Sequence, residues 1–497
     1  MTLLTAFEEL VQNLRPCFQQ ERTFERARAL AYASVLTFGR HTVTRLICSK
    51  NEQHRDWSAD YRLFSQRQWS AHDLFFEILK HGEPHSHWPN GALVSALDDT
   101  TRQKTGKRIP GVCTLRDPMS LPYHVNLIPG IRFLQASLIL KPEDRIEYSR
   151  ALPILFEEAA PAKKPKKNAG AEEHEHYREQ QKVKRLSVQG LQAALHLRQQ
   201  VDWLPHGQER MLIVLVDGSF CNKYFLRGLP ENVIAIARTR KDVKLFKPPA
   251  AGMRRNRRYG ERLPTPEEIR RDDHTYPWTE VEVFYAGRIQ SVRCKELKPV
   301  LWRSGTQTKS CRLIVIAALG YRLRKGAKKL YHEPAYLLTT DLDTPLAQVV
   351  QYYLSRWNIE VNHRDEKSLL GVGDAQVRAP LSVPRNPQFA VAVYSLLLLA
   401  GLRAYGASRT ADYLPLPKWR KDEDRRPSTL DLVSQFRREV MLAQLPENVK
   451  PTDGTACDSI IMQPQEETSG FANTAPQLRS PRILPVSFIA AALYADS

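Results

Sequence analysis

The sequence predicts an α/β protein, and three observations carry that expectation. Short apolar runs bounded by turn or charged residues recur at Ala92–Leu97, Ile131–Leu140, Met211–Val216, Val233–Arg238 and Glu333–Asp343, and each reads as a strand. Segments with helical periodicity lie between and around them, at Thr23–Ile47, Val188–Gln199, Gln351–Arg378 and Phe389–Leu402. Two of the runs stop on an acid, "ALDD" at Asp98-Asp99 and "IVLVD" at Asp217. A side chain at a strand end is held rigidly at the sheet edge, where ligands gather in open α/β sheets.

The elements fall into five regions. Residues 1–88 read as a helical, DNA-binding region, with Arg26, Arg28, Arg40 and Arg45 on the Thr23–Ile47 segment; a solvated basic face is the plainer account of those arginines. The Asn90-Gly91 turn signal opens the first part of a core, 89–245, which contains a charged, low-complexity link at about 161–185. Residues 246–330 interrupt the alternation as a mostly β insertion, because "VEVFYAGRIQSVRCKEL" and "CRLIVIAALGYR" both read as strands. The core resumes over 331–405. Beyond 406 the chain is rich in proline and is expected to be a partly ordered tail reaching 497.

Composition narrows the partner. Lys and Arg outnumber Asp and Glu by 73 to 54, a net charge of +19 and a pI near 9.6, an excess that suits a nucleic-acid polyanion better than a small metabolite. The hydrophobic share of 42% is ample for a sizeable core and excludes global disorder. Seven scattered cysteines without a C-x2-C pair argue against a zinc ribbon or a disulfide framework and suit a reducing compartment. The amphipathic, acid-bearing N-terminus lacks the pattern of a secretory signal. The apolar run Phe389–Leu402 is shorter than the ~18 residues of a membrane span, so a buried core helix and no membrane partner are expected.

The segment "QYYLSRWNIEVNHRDEKSLLGVGDAQVR" carries Tyr353, Arg356, Glu360 and Lys367 in the order Y-x2-R-x3-E-x6-K. On one continuous helix the four fall within an arc of roughly 60°, and Arg364 extends the stripe. A surface laced with ion pairs would show the same spacing, with Arg356 and Glu360 as an i,i+4 pair. Company favours a site. Asp99 and Asp217 at strand ends, with Glu360 on the helix, make the all-oxygen ligand set that Mg²⁺ or Mn²⁺ prefers. Two such ions can activate an attacking oxygen and stabilise a leaving one in phosphodiester cleavage. Tyr353, Arg356, Lys367 and Arg364 could then hold a phosphate of the cut strand.

The "DDTT" after one strand, the "VLVDGSF" after another and the "YYLSRWNIEVNHRDEKSLLG" segment resemble the three acidic sites of bacterial insertion-sequence transposases of the DDE type, within them the cut-and-paste subgroup with the Y-R-E-K signature. The resemblance covers roughly residues 90 to 400, and Tyr353, Arg356, Glu360 and Lys367 are its most specific part. It implies a ribonuclease-H-like catalytic core interrupted by a β insertion, with cleavage at the element's ends followed by strand transfer into target DNA. Asp99, Asp217 and Glu360 would be the catalytic metal ligands for two ions, and Tyr353, Arg356 and Lys367 the phosphate contacts. The implied partners are double-stranded DNA, as terminal inverted repeats and target, and a second copy of the chain in the DNA complex. The implied location is the bacterial cytoplasm, at the nucleoid.

Several assignments compete. Asp98 and Asp99 point to opposite faces of a strand; the resemblance selects Asp99, because there the metal-binding acid immediately precedes the Thr-Thr pair. Asp341, Asp343 and Asp374 read better as caps or turn residues than as the second acid, and Thr100 and Thr101 as support for the first. His81, His85 and His87, like His174 and His176, lack the company of cysteines or a helical metal motif and read as surface histidines. Arg254, Arg255, Arg257 and Arg258 suit DNA contact, and Trp357 is either a base-stacking residue or core. Two other functions stay open: a structure-specific nuclease of the same fold without strand transfer, and a transposase-derived DNA binder that has lost catalysis.

Overall fold

The computed structural model describes residues 1–444 except 67, 107, 118–119, 121–122, 251–257, 323–325 and 419–424. Arg254, Arg255 and Arg257 lie outside the described residues, as does the tail from 445. Five helices precede the first strand: α1 (Leu3–Gln12), α2 (Glu21–Leu36), α3 (Val43–Ser49), α4 (Ser58–Ser65) and α5 (Ala71–Gly82). Helix α1 shows why such segments fold. Thr2 caps it by accepting from the Thr5 amide, and Leu3, Ala6, Phe7, Leu10 and Val11 recur at helical spacing to bury one face.

The sheet is built from β1 (Leu93–Gln103), β2 (Cys113–Arg116), β3 (Leu127–Leu140), β4 (Arg150–Glu158), β5 (Leu212–Val216), β6 (Val233–Arg238), β7 (Thr279–Tyr285), β8 (Arg288–Leu301), β9 (Ser310–Ile316) and, after a small hairpin of β10 (Gly320–Tyr321) and β11 (Leu330–Tyr331), β12 (Ala335–Thr339). Helices α6 (Ala171–Val183) and α7 (Leu186–Asp202) lead into β5, α8 (Lys223–Leu226) joins β5 to β6, and α9 (Pro266–Arg271) precedes β7. After β12 come α10 (Leu346–Ser355), α11 (Asn358–Leu369), α12 (Ser382–Tyr405) and α13 (Thr429–Gln444).

Strand order is β2-β3-β1-β5-β6-β12-β9-β8-β7, with β4 also on β3. Strands β1, β5 and β6 run parallel, and every other pairing is antiparallel. The parallel strands are continuous apolar runs because both faces are covered. Helices α5 and α7 cover one face. Helices α10 and α11 cover the other, while α12 lies along β4 and packs with α1 and α5 in the first core.

The strands of 246–330 form a mostly β stretch that continues the main sheet: β9 pairs with β12, so β7–β9 extend it. Three expectations change. The N-terminal helices share one continuous core with the sheet, α12 and α13, where Phe7, Leu79, Leu140, Leu396 and Phe436 are all buried. The charged link contains α6, a helix with no buried residue, whose Glu172 and Glu173 open it and Lys182 closes it in accord with the helix dipole. Within 406–444, α13 is core rather than tail: Phe436 meets the rings of Phe7 and Tyr32 at 5.0 and 5.7 Å, and Glu439 accepts from the Leu4 amide at 2.7 Å. Helix α12 has the 24-residue length to cross a membrane, yet its apolar side chains from Phe389 to Ala400 are packed inside the protein, as expected of a core helix.

Candidate active site

A cleft of about 870 Å³ opens where β1, β5 and β6 end beneath α10 and α11. It is lined by Asp98, Asp99, Asp217 and Glu360 together with Arg116, Arg238, Arg240, Arg356, Arg364 and Lys367, and by Tyr353, Trp357 and His363. Three distant stretches of chain thus bring their acids to one place, each for a local reason. The apolar runs of β1 and β5 drive both strands into the core and leave the acids at its margin. Strand β1 pairs in parallel with β5 as far as Leu97 opposite Val216, so the next residues, Asp98 and Asp217, are neighbours. Asp217 is fixed by an Asx turn, accepting from the Ser219 amide at 2.9 Å and the Ser219 hydroxyl at 3.1 Å.

The expected single helix from Gln351 is two. Arg356 and Trp357 stand between α10 and α11, where the amides of Arg356, Trp357, Ile359 and Glu360 all donate three residues back. That tightened turn rotates the chain faster than an α-helix does. The Asn358 side chain donates to the Ser355 carbonyl at 3.1 Å, satisfying a group freed by the change.

Alternation along β1 separates the two aspartates. Val94 and Ala96, which share Asp98's parity, pack with Val349, Val350, Tyr353 and Ile359 beneath α10 and α11. Leu93 and Leu97, which share Asp99's parity, pack in the other core with Leu197, Val201 and Val216. Asp98 accordingly meets the helices. The Arg356 guanidinium donates through Nη1 to Asp98 Oδ2 at 3.1 Å and through Nη2 to Glu360 Oε1 at 2.7 Å. Asp99 lines the cleft but makes no such bridge.

The electrostatics are those of crowded acids. Burial, with Asp98 next, raises the Asp99 carboxyl to about 6. Burial and then Asp98 raise Asp217. Burial raises Glu360 to about 7; Arg356 opposes the rise, and Asp98 adds to it. Burial works against the charge of Arg356, but Asp98, Tyr353 and Glu360 hold it protonated more firmly than usual. The Tyr353 phenol is raised by burial, with Arg356 and Arg238 opposing. Lys367 is exposed overall, yet its surroundings desolvate the ammonium enough to lower it to about 8, with Arg102 adding repulsion.

The remaining expected residues divide. Arg364 is exposed, bonded to Asp365 at 2.9 Å, and lines the cleft. Trp357 is half-buried, lines the cleft, and its buried indole Nε1 has no hydrogen-bond partner. Arg258 is exposed on the loop before Tyr259. Asp341 accepts from the amides of Asp343 and Thr344 and so acts as a turn residue, and Asp374 accepts from the His41 amide at 2.9 Å. One pair escaped the sequence: Arg102 on β1 donates to Glu366 on α11 at 2.7 Å, with side chains only 2% and 0% exposed. Neither residue stands in a motif that links it to the other.

Residues 13–309 match the family described as DDE superfamily endonuclease, more than half of the 497-residue chain. The chain belongs to that family. No curated protein was found to match it. The matched part contains Asp98, Asp99 and Asp217 and ends before α11. DDE endonucleases act on DNA and generally use divalent metal ions. The cleft suits such an ion. Its acids offer only hard carboxylate oxygens, the donor type such an ion takes, and Arg356 bridges two of them.

The raised carboxyls have a measurable consequence in metal-free protein. Glu360 moves up from 4.5 to about 7, so the folded state keeps a proton that the unfolded state releases. The stability this contributes is present below pH 4.5 and is lost as the pH rises through about 7. Glu360→Gln should flatten that decline in urea unfolding with EDTA present. An unchanged pH slope would show that the carboxyl is not raised.

Proposed function

We propose that this protein is a DDE-type DNA transposase of the Y-R-E-K subgroup, with a ribonuclease-H-like core, that cleaves the ends of an insertion sequence and joins them to target DNA. One observation carries the proposal: acids on the adjacent strands β1 and β5 and on the following helix α11 converge in one cleft, around the arginine of the Y-x2-R-x3-E-x6-K segment. Asp98, Asp217 and Glu360 are the residues that would hold Mg²⁺ or Mn²⁺. When bound, two such ions supply Lewis-acid activation of the attacking oxygen and neutralise the leaving one.

The chain's own residues do the rest. Arg356 is buried and forks between two of the acids, so its role is to set their spacing rather than to reach a phosphate. The more open cations of the cleft, Lys367, Arg364, Arg240 and Arg116, are the groups for the DNA backbone, since neutralised phosphates release counterions. Tyr353 packs beneath Arg356 and keeps its guanidinium in place. Trp357 stands at the cleft wall, where its ring is placed to meet a base.

A supercoiled plasmid carrying the DNA that flanks the gene tests the proposal. Mg²⁺ should give excision and joined products, and EDTA should abolish both. Cuts without joining would indicate a nuclease lacking strand transfer, and shifted but intact DNA a binder without catalysis. Affinity should also fall steeply with salt: with these four cations as backbone contacts, the slope of log K against log salt is about −3 to −4. A slope near zero would remove the phosphate-binding role of these cations. The same complexes, sized in solution, test for two copies of the chain.

A further inference from the structure

A second group of metal-ligating side chains lies on the other face of the sheet. His72 on α5, Glu157 near the end of β4 and His196 on α7 each offer one ligand atom, and these atoms lie within 4.8 Å of one another. Both imidazole Nδ1 atoms face the same carboxylate oxygen, at 3.6 Å from His72 and 3.9 Å from His196. The two rings stack with centroids 4.2 Å apart and 25° between planes. Glu157 and Asp99 are each paired to Leu134 of β3, so Glu157 belongs to the Asp99 face, two strands away. The α11 acids are on the reverse side.

The geometry points to a structural metal site at His72, Glu157 and His196 that takes a borderline divalent ion such as Zn²⁺, separate from the catalytic cleft. Two imidazoles and one carboxylate are a donor set for Zn²⁺ and neighbouring transition metals, whereas the cleft's carboxylates suit harder ions. Tetrahedral ligand atoms on metal bonds of about 2.1 Å lie about 3.4 Å apart; the carboxylate contacts of 3.6 and 3.9 Å are within about half an ångström of that, and the two rings would turn out of their stack to aim both nitrogens at one ion. Among the described residues this is the sole group of three or more such side chains close enough to share an ion in this way. Gln200, one turn beyond His196 and lining the same pocket as His72 and Glu157, buries an amide oxygen that has no partner. A buried acceptor without a donor is costly, and Gln200 shares that pocket with two of the three side chains. The three ligands come from three elements, so the ion would tie the N-terminal helices and α7 to the sheet edge. A protonated histidine paired with Glu157, with no metal, is the competing account.

Full-length protein, stripped with EDTA and held in excess Mg²⁺ to fill the carboxylate cleft, should be titrated with Zn²⁺ and, for its visible absorption, with Co²⁺. One equivalent should bind, with a rise in melting temperature. His72→Gln, at an exposed position where folding is easily kept, and His196→Ala should each weaken binding at least about tenfold, while Asp217→Asn should leave it unchanged. Circular dichroism checks that each variant is folded. No Zn²⁺ uptake by the wild-type protein, undiminished uptake by folded His72→Gln, or loss of uptake in Asp217→Asn would each overturn the assignment.

Discussion

Asp98→Ala should lower metal-dependent DNA cleavage by about 10²–10³-fold, the scale on which losing one preorganised electrostatic partner costs a reaction, whereas Asp99→Ala should stay within about tenfold of wild type. The difference follows from parity. Asp98 lies on the α11 side of β1, next to Asp217 across the parallel pairing and bridged to Glu360 by Arg356. Asp99 turns toward the opposite layer, with Arg132 among the charges that act on it. It still borders the cleft, which is why a modest effect through the field is expected rather than none. Asp217→Ala and Glu360→Ala should match Asp98→Ala. Plasmid nicking with Mg²⁺ and with Mn²⁺ measures all four. Full loss in Asp99→Ala beside near-normal Asp98→Ala would restore the assignment suggested by the Thr-Thr pair.

Glu366→Ala should cost about 3–5 kcal/mol of stability, the range for breaking a buried ion pair by removing one partner. The reason is what remains. Arg102 already has a buried Nε and Nη1 without partners, and Glu366 is the acid that pairs with it, at 2.7 Å. The Phe156 ring, 5.7 Å from the guanidinium carbon, offers only a weak cation–π contact in compensation. The double change Arg102→Met with Glu366→Leu should recover most of the loss, because apolar side chains of similar volume carry no desolvation penalty. Urea unfolding of the three variants measures this. A single-variant loss under about 1 kcal/mol would mean that the pair is solvated. Since Arg102 stands on β1 and Glu366 on α11, the same pair fixes the helix that carries Glu360 against the strand that carries Asp98.

Much of the architecture was legible because it is local. The apolar runs of β1, β3, β5 and β6 announce themselves, and so does the core helix α12. The two strand-end acids and the Tyr353-to-Lys367 spacing already singled out the cleft. What the sequence leaves open is non-local. The strands of 246–330 read as a β insertion, and their place in the main sheet depends on β12, a partner that arrives only at Ala335. The residues after 406 looked like tail because the faces that receive α13 belong to α1 and α2, some four hundred residues earlier. The tight turn at Arg356 and Trp357 leaves the acid and the arginine together even though it divides the helix.

By itself the sequence determined the class of fold, the excess of positive charge for a polyanionic partner, and the candidate acids with their arginine. Tertiary structure decided which of two adjacent aspartates faces the glutamate, that Arg356 serves the acids from within, and that Arg102 meets Glu366. It also brought His72, Glu157 and His196 within reach of one ion. Side-chain spacing along the chain carries information over a few turns or strand residues. Strand parity becomes a choice of face only when a sheet register is set by partners more than a hundred residues away, as Leu97 is by Val216.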